Sequence, residues 1–315
     1  LAVLEDGGTF PGADPGRVSR RALERGLAQV GTLGSGNHFL ELQEVEAVHD
    51  EAAAEAFGLR RGQFVVMVHT GSRGLGYQVC SDALRAMPAA MRRAGISLPD
   101  RQLACAPLDS PEGRDYLAAM AAAANFARAN RQAVTHALRG ALRLALGLSP
   151  RELGAEVVYD VSHNLAEEER HEVEGRERRL YVHRKGATRA FPAGHPDVPA
   201  AYRAVGQPVL VPGTMGTSSF VLVGTPRAMA ETFGSVCHGA GRVMSRTEAA
   251  RRVRPRELLE RLRERGVSVR TDSWRGFAEE APEAYKDVEE VVAVCEAAGL
   301  SRRVARLKPF GVLKG

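Results

Sequence analysis

Short apolar runs rich in β-branched residues alternate irregularly with longer helical patterns along this chain of 315 residues. The runs predict strands at 64–69, 156–162, 179–183, 208–211, 218–223 and 267–270. Apolar residues at helical spacing predict helices at 78–94, 112–146, 226–234, 256–265 and 283–298. Because these elements do not repeat as strand–helix–strand units, the pattern predicts an α+β fold and argues against a doubly wound parallel sheet.

The composition restricts the classes of protein that the chain can be. Its length suffices to bury a full core in one or two domains. The formal net charge is +5, and only four of the 43 basic residues are Lys; this Arg bias is typical of a GC-rich genome, so the charge alone does not indicate nucleic-acid binding. Four cysteines without paired spacing, and no signal peptide or apolar run of membrane-spanning length, predict a cytoplasmic protein with reduced thiols and no membrane partner.

Three histidines stand where predicted strands or glycine loops end. His69 closes the run at 64–69, His163 follows the run at 156–162, and His38 follows the glycine-rich string at 31–36. Strand ends are rigid, and neutral imidazoles there suit Mn, Fe, Zn or Ni. Taken singly, each is better explained as an ordinary hydrogen-bonded histidine. Their joint occurrence beside Gly, Asn or Arg favours a metal site.

His238 begins the string HGAGR, and Arg246 follows shortly after Arg242. Glycines let backbone N–H groups approach an anion, and arginines balance its charge. The string therefore suits a nucleophilic imidazole that takes up a phosphate.

A second basic string contains Arg184, Lys185 and Arg189. Three cations around a glycine could hold an RNA phosphate, and they are equally typical of a solvated turn. Both interpretations remain open at this point.

Eight strings together resemble the RtcB family of RNA-splicing ligases, in order and with the family's spacing from about residue 10 onward. They are GTLGSGNHFLE (31–41), HTGSRGLG (69–76), YDVSHN (159–164), HRKGATRAFP (183–192), GTMGTSS (213–219), HGAGR (238–242), EAYKDV (283–288) and LKPFGVLKG (307–315). The resemblance implies layered mixed β-sheets with surrounding helices. It also implies a ligase that uses GTP and two Mn²⁺ ions to join an RNA 3′-phosphate or 2′,3′-cyclic phosphate to a 5′-hydroxyl, in tRNA splicing or RNA repair. Whether an activating protein is needed stays open.

The resemblance also assigns roles residue by residue. His238 matches the guanylylated histidine, and the metal ligands match His38, His69 and His163. The guanylate-binding segments match Asn37, His38, Phe39, Leu40 and Glu41; His163 and Asn164; Pro212, Gly213, Thr214, Met215 and Ser219; and His238, Gly239, Ala240 and Gly241. Residues that flank the guanine match Tyr285 and Lys314, and the arginines near the RNA phosphates match Arg73, Arg242 and Arg246. Thr214 replaces the family's usual serine and keeps the hydroxyl.

Glu41 suits a preference for GTP. A carboxylate accepts from the N1–H and N2–H₂ groups of guanine, whereas adenine offers an acceptor at N1. We therefore expect discrimination against ATP.

One family feature has no match here. The family's metal site also uses an aspartate and a cysteine in an Asp-x-Gly-Cys-Gly string upstream of the first motif, and the sequence contains no such string. Leu1 stands in place of a start methionine. These features predict a single catalytic domain over 1–315 that lacks an N-terminal segment, with His69 and His163 on one metal and His38 on the other. Cys237 is a poor substitute ligand, because neighbouring residues rarely point into one site.

Two other functions remain open. One is a truncated, non-catalytic RNA- or nucleotide-binding paralogue, and the other is a metal-dependent phosphoesterase that uses the same histidines without a nucleotide.

Overall fold

The computed structural model describes residues 2–100 and 103–315 and confirms the α+β prediction. Contacts divide the chain into two compact units. The first comprises Leu1–Gly7, Leu33–His69 and Glu156–Gly315, and the second comprises Gly8–Thr32 and Thr70–Ala155. Within the described residues, no helix is both long and apolar enough to cross a membrane.

A mixed sheet of six strands organises the first unit. Its strands are β1 (Phe39–Val48), β2 (Phe64–His69), β6 (Pro208–Val211), β7 (Ser219–Gly224), β9 (Ser268–Thr271) and β10 (Ser301–Lys314). They are ordered β2-β1-β10-β7-β6, and β9 pairs in parallel with β10, whereas the other pairs are antiparallel. Two smaller pairs are β3 (Asn164–Val173) with β4 (Arg176–Lys185), and β5 (Ala187–Arg189) with β8 (Ser235–Cys237).

Strand β7 shows why the sheet lies between layers. Successive side chains of a strand point to opposite faces, and all six residues of β7 are buried. Val221 and Val223 join one core cluster, whereas Phe220 and Leu222 join another. The unbroken apolar run of this strand therefore reflects burial on both faces.

Helices complete the first unit. They are α2 (Glu51–Phe57), α6 (Pro226–Thr232), α7 (Arg246–Arg252), α8 (Pro255–Glu264), α9 (Trp274–Glu279) and α10 (Val288–Ala297). A further core cluster joins Leu258 and Leu262 of α8 to Phe277 of α9 and Val312 of β10.

The second unit is helical and contains α1 (Arg20–Leu27), α3 (Arg73–Arg93), α4 (Pro111–Leu146) and α5 (Pro150–Leu153). Ser110 caps the N-terminus of α4 through the Gly113 N–H, and Gly147 ends the helix with φ 67°. The cap and the left-handed glycine explain why the prediction of 112–146 matches the observed helix closely.

The predictions at 78–94, 226–234 and 256–265 are confirmed as the helices α3, α6 and α8, with shifted ends. Strands at 64–69, 208–211, 218–223 and 267–270 are also confirmed, and 179–183 lies within the longer β4. In the region 283–298, the helix starts later, because Asp287 caps α10 and a short 3₁₀ turn (Pro282–Ala284) comes first.

The prediction of a strand at 156–162 is wrong, since this segment forms no strand. Its polar groups bond elsewhere. The Asp160 carbonyl accepts from the Glu5 N–H, and the Ser162 N–H donates to the Glu5 carboxylate. Tyr202 donates its hydroxyl to the Val158 carbonyl. Within this run Tyr159 is buried, residues 157, 158 and 160–162 are partly buried, and none of them pairs in a sheet.

Candidate functional site

Four strands of the first unit place four histidines close together. His38 immediately precedes β1, and His69 ends β2, where it is paired in register with Phe39. His163 immediately precedes β3, and His238 immediately follows β8. The sheet pairing therefore gathers positions that are far apart in the sequence at one set of strand ends.

The four rings are in contact or nearly so. The Nε2 atoms of His69 and His163 are 3.0 Å apart, and the rings of His163 and His238 stack with centroids 4.2 Å apart and 28° between their planes. The centroid of His69 lies 6.1 Å from that of His38 and 6.4 Å from that of His238. The edge of the Phe39 ring packs against His69, with centroids 5.4 Å apart.

The protein environment favours the neutral form of two of these rings, His69 and His238. Burial holds the pKa of His69 well below its usual value, and the nearby imidazoles and Lys314 lower it further. Burial also lowers the pKa of His238, partly offset by a hydrogen bond to the Gly186 backbone. A neutral imidazole carries a lone pair, which both a metal ion and a phosphorus atom can use.

The spacing of His69 and His163 suits a shared metal ion. Two imidazole nitrogens about 2.1 Å from one ion, at right or tetrahedral angles, lie roughly 3.0–3.4 Å apart, and the observed separation is 3.0 Å. The His38 ring centroid lies 6.1 Å from that of His69, compared with 5.1 Å for His163. This donor set fits a borderline transition metal.

An acidic cluster in the same unit has a different explanation. Glu5, Asp6 and Glu167 lie close enough to share an ion, and within residues 2–100 and 103–315 they are the only such group of three. However, the Arg189 guanidinium lies among them, 2.9 Å from Asp6 and 3.7–3.8 Å from the other two carboxylates. The arginine already supplies the compensating cation.

A buried polar cluster is formed by side chains of β1, β7 and β10. Glu41 is 3% exposed, and Gln43 donates to its carboxylate at 2.6 Å and to the Ser219 hydroxyl at 3.0 Å. Burial raises the pKa of Glu41 to about 8, against the opposing effects of Gln43, Lys314 and Ser219. Gln43 was missed in the sequence, although its place two residues after Glu41 on one strand puts both side chains on the same face.

Lys314 on β10 also belongs to this polar cluster. It is 4% exposed, and its Nζ donates to the Gly36 carbonyl at 2.7 Å. Burial lowers the pKa of Lys314 to about 8, while Glu280 and Glu41 act in the opposite direction. The lysine therefore connects the glycine string before His38 with the buried carboxylates.

The loop 212–218 lies between β6 and β7. The Ser219 hydroxyl accepts from the Gly213 N–H at 3.1 Å, and the Thr217 hydroxyl accepts from the Thr214 N–H at 2.8 Å. A Cβ atom on Gly213 would lie 2.0 Å from the Ser218 carbonyl oxygen, so only glycine fits. Met215, which belongs to this loop, is buried in a core cluster.

The loop that contains His238 runs close to Pro212, since a Cβ atom on Gly239 would be 3.6 Å from the Pro212 carbonyl oxygen. Ala240 is buried, and Gly241 adopts φ 76° and accepts from the Lys286 N–H at 2.9 Å. Two of the segments predicted to bind guanylate are therefore adjacent.

The sequence did not single out Glu280, which is 2% exposed. Its carboxylate accepts from Arg242 and Arg246, each at 3.2 Å, and from the Tyr285 hydroxyl. The carboxylate thus gathers three residues with predicted roles. No motif contains it, and only its tertiary contacts reveal it.

The remaining predicted residues are placed as follows. Asn37 and Leu40 are half-buried beside His38, and Asn164 is exposed at the start of β3. Arg73 belongs to the other compact unit, where its Nε donates to the Thr32 hydroxyl at 3.1 Å. Its predicted role at RNA stays a prediction.

Cys237 is engaged with another cysteine. Its Sγ lies 3.5 Å from the Sγ of Cys295, and this contact together with burial raises the pKa of the Cys237 thiol. A thiol that resists ionisation is a poor metal ligand, which agrees with the expectation that Cys237 is no substitute for the family's cysteine.

Burial decides between the two interpretations of the basic string that contains Arg184, Lys185 and Arg189. Arg184 and Arg189 are both buried in ion pairs, with Glu167 and Glu169 and with the acidic cluster respectively, and Lys185 alone is exposed. The two arginines therefore stabilise the protein, and neither is available as a surface group for RNA.

The fold and the site define an α+β protein with a cluster of four histidines and a buried carboxylate–lysine pair. The family model described as "tRNA-splicing ligase RtcB" matches residues 1–315, and the chain belongs to this family. It is 57% identical over 316 residues to the tRNA-splicing ligase RtcB of Pyrococcus furiosus and 56% identical over 315 residues to that of Thermococcus kodakarensis. It is also 56% identical over 315 residues to the RNA-splicing ligase RtcB of Mycobacterium tuberculosis.

Each of these matches covers 100% of this chain. The chain spans 33% of the length of the Pyrococcus protein, 65% of the Thermococcus protein and 71% of the Mycobacterium protein.

Proposed function

We propose that this chain carries the chemistry of an RNA ligase that joins a 3′-phosphate or 2′,3′-cyclic phosphate end to a 5′-hydroxyl end, using GTP and Mn²⁺, in tRNA splicing or RNA repair. The observation that carries the proposal is the stacking of His238 on His163, whose Nε2 lies 3.0 Å from that of His69. If His238 is the nucleophile, this contact would put it directly beside the two proposed metal ligands. Family membership supports the same reaction class.

His238 would attack the α-phosphorus of GTP. A nitrogen–phosphorus bond forms, the bond from that phosphorus to the β-phosphate oxygen breaks, and pyrophosphate leaves. The lowered pKa of His238 favours the neutral, nucleophilic ring at physiological pH. The Gly186 backbone helps to orient the imidazole.

His69 and His163 would hold one metal ion and His38 a second. When bound, Mn²⁺ would supply positive charge for the phosphate oxygens and the leaving group. His69 suits this role because burial and the neighbouring imidazoles disfavour its protonated form.

The buried polar cluster around Glu41 would bind guanine. The Glu41 carboxylate would accept from N1–H and N2–H₂, and Gln43 and Ser219 would hold that carboxylate in place. Tyr285 and Lys314 would flank the base, and the loop 212–218 with Gly239, Ala240 and Gly241 would surround the rest of the nucleotide.

Arg242 and Arg246 would bind the phosphates of RNA ends. Arg246 is the better placed of the two for a large substrate, because its side chain is 52% exposed. Guanidinium groups form paired hydrogen bonds to phosphate oxygens, which suits this role.

The test is to incubate the chain with α-labelled GTP and MnCl₂, and then to add RNA fragments with 3′-phosphate and 5′-hydroxyl ends. We expect acid-labile GMP on the protein and a joined RNA product. His238→Ala should abolish both while thermal unfolding stays unchanged. His183→Ala is the matched control, because His183 is exposed on β4.

The other outcomes identify the alternatives. Release of phosphate from RNA ends without protein-bound GMP would indicate a phosphoesterase. Nucleotide or RNA binding without any reaction would indicate a non-catalytic paralogue. Labelling that persists in His238→Ala would show that another residue is the nucleophile.

A further inference from the structure

Glu280 lies in the core of the first unit, immediately after α9, and is 2% exposed. A buried carboxylate is costly unless donors or cations satisfy it. No step described above uses it, so its contacts need a separate explanation.

Both carboxylate oxygens of Glu280 are engaged. Oε2 accepts from the Tyr285 hydroxyl and, at 3.2 Å, from a terminal nitrogen of Arg242. Oε1 accepts from Nε of Arg246 at 3.2 Å. One side chain therefore joins the tyrosine proposed to flank guanine with both arginines proposed to bind RNA phosphates.

Arg242 has several other restraints. It donates to the backbone carbonyls of Met244 at 3.0 Å and Glu279 at 2.6 Å. Its guanidinium carbon also lies 4.8 Å from the centroid of the Tyr285 ring. Removing one acceptor would leave this arginine largely in place.

Arg246 is held differently. Its side chain is 52% exposed, and its bond to Glu280 joins it to a buried group. Its guanidinium lies against the glycine string before His38, because a Cβ atom on Gly36 would be 2.8 Å from its terminal nitrogen. The position of Arg246 beside the histidine segment therefore depends on Glu280.

The charge of Glu280 also reaches the base pocket. Among the charged neighbours of Lys314, Glu280 contributes the largest effect that favours the protonated amine. Lys314 in turn donates to the Gly36 carbonyl. The carboxylate thus acts on the nucleotide side and on the RNA side of the site.

We infer that Glu280 is a positioning residue that fixes Tyr285 and Arg246 relative to each other, and so couples guanine binding to the binding of the RNA 3′-phosphate. The inference rests on the proposed function, since that function assigns the two ligands. It predicts a loss of affinity for both substrates from one substitution that touches neither.

The experiment measures KM and kcat for protein-bound GMP formation with varied GTP, and for sealing with varied 3′-phosphorylated RNA. In Glu280→Gln we expect both KM values to rise on the order of tenfold, as for the loss of a hydrogen bond to a charged group. Tyr285→Phe should raise the KM for GTP alone. A purely structural role would lower the active fraction, and thus kcat, without changing either KM.

Glu279→Gln is the matched control. The Glu279 side chain pairs with the exposed Arg275, and its backbone carbonyl, which accepts from Arg242, is unaffected by the substitution. If Glu280→Gln fails to fold, Glu280→Asp keeps the buried charge but shortens its reach. We expect it to raise both KM values in the same direction.

A binding measurement separates this inference from the proposed function. Anisotropy of a labelled RNA with a 3′-phosphate, compared with the same RNA ending in a 3′-hydroxyl, needs neither GTP nor metal. If the parent chain forms no protein-bound GMP, the proposed function fails, and this arm still tests the link to Arg246. Equal preference for the 3′-phosphate in the parent, Glu280→Gln and Glu280→Asp would overturn the inference.

Discussion

Two buried polar clusters in the same unit treat charge in opposite ways. In the β3–β4 hairpin, Arg184 donates to Glu167, to Glu169, to the Ser235 hydroxyl and to the Phe233 carbonyl. His171 pairs with Glu169 at 2.6 Å. In the histidine cluster, by contrast, every neighbour that influences the charge of His69 opposes its protonation.

This difference in charge separates a cluster that stabilises the fold from one that suits ligand binding. The hairpin cluster contains its own counter-charges, so its hydrogen bonds stabilise the fold without any ligand. In the histidine cluster, protonation of His69 is disfavoured, and the grouped imidazoles suit an electrophile such as a metal ion. Buried charges that are paired with opposite charges indicate a role in stability. Several ionisable groups of one kind held close together indicate a binding site.

The strongest test of this comparison is His163→Ala. We expect protein-bound GMP to fall by at least about a thousandfold, because the variant loses both a proposed metal ligand and the ring stacked on His238. The free energy of unfolding should change little, since we expect the cluster to serve ligand binding and not the stability of the fold. Labelled GTP and calorimetric unfolding measure the two quantities, and a strongly destabilised variant would show that the cluster stabilises the fold.

Arg184→Met should have the opposite profile. Removing one partner of a buried ion pair leaves carboxylates uncompensated, and we expect the free energy of unfolding to fall by about 3–5 kcal/mol. Urea unfolding measures this loss. Arg170→Met is the control, because Arg170 pairs with Glu177 on the exposed side of the same hairpin and should cost no more than about 1 kcal/mol.

Glu41→Gln tests a buried carboxylate that belongs to neither kind of cluster. The variant keeps the shape but loses the charge that would accept from guanine, so we expect selectivity for GTP over ATP to fall by about a hundredfold or more. Competition between the two labelled nucleotides measures it. Unchanged selectivity would move guanine recognition to Ser219 and to backbone groups.

The smallest expected effect concerns pH. The pKa of Glu41 is about 8 because of burial, so below pH 8 the free protein holds this carboxyl neutral and must release a proton to accept both guanine donors. GTP affinity should therefore rise with pH by at most about tenfold per unit and level off above about pH 8. The pKa of Lys314 is also about 8, and loss of its charge would act in the opposite direction above that pH. The ratio of parent to Glu41→Gln affinities isolates Glu41, and a ratio independent of pH would contradict the assignment.

The sequence predicted the histidine cluster well because each member lies in a local string with its own signature. His38, His69, His163 and His238 are each beside a strand end or glycine turn, features that short motifs encode. The α+β class and most of the helices were also predictable from periodicity. The assignment of guanylate and metal roles stays a prediction.

What the sequence could not supply depends on long-range pairing. Strand β10 contains five cations, a proline and a glycine, and its burial comes from pairing with β1 and β7. Glu280 and Gln43 matter only through partners that other elements bring to them. Arg184 and Arg189 resembled surface charges because no local pattern shows that carboxylates will surround them.

The long-range pairing of β10 with β1 also has a consequence for the folding of the chain. Leu313 pairs with Leu40, and Lys314 donates to the Gly36 carbonyl. These contacts join two distant parts of the first unit's sequence, so they form only after β1 and β10 have paired. Loop closure over such a separation is slow compared with the formation of α4 from local contacts. The base pocket should thus be among the last parts to acquire protection from hydrogen exchange, well after the helical unit.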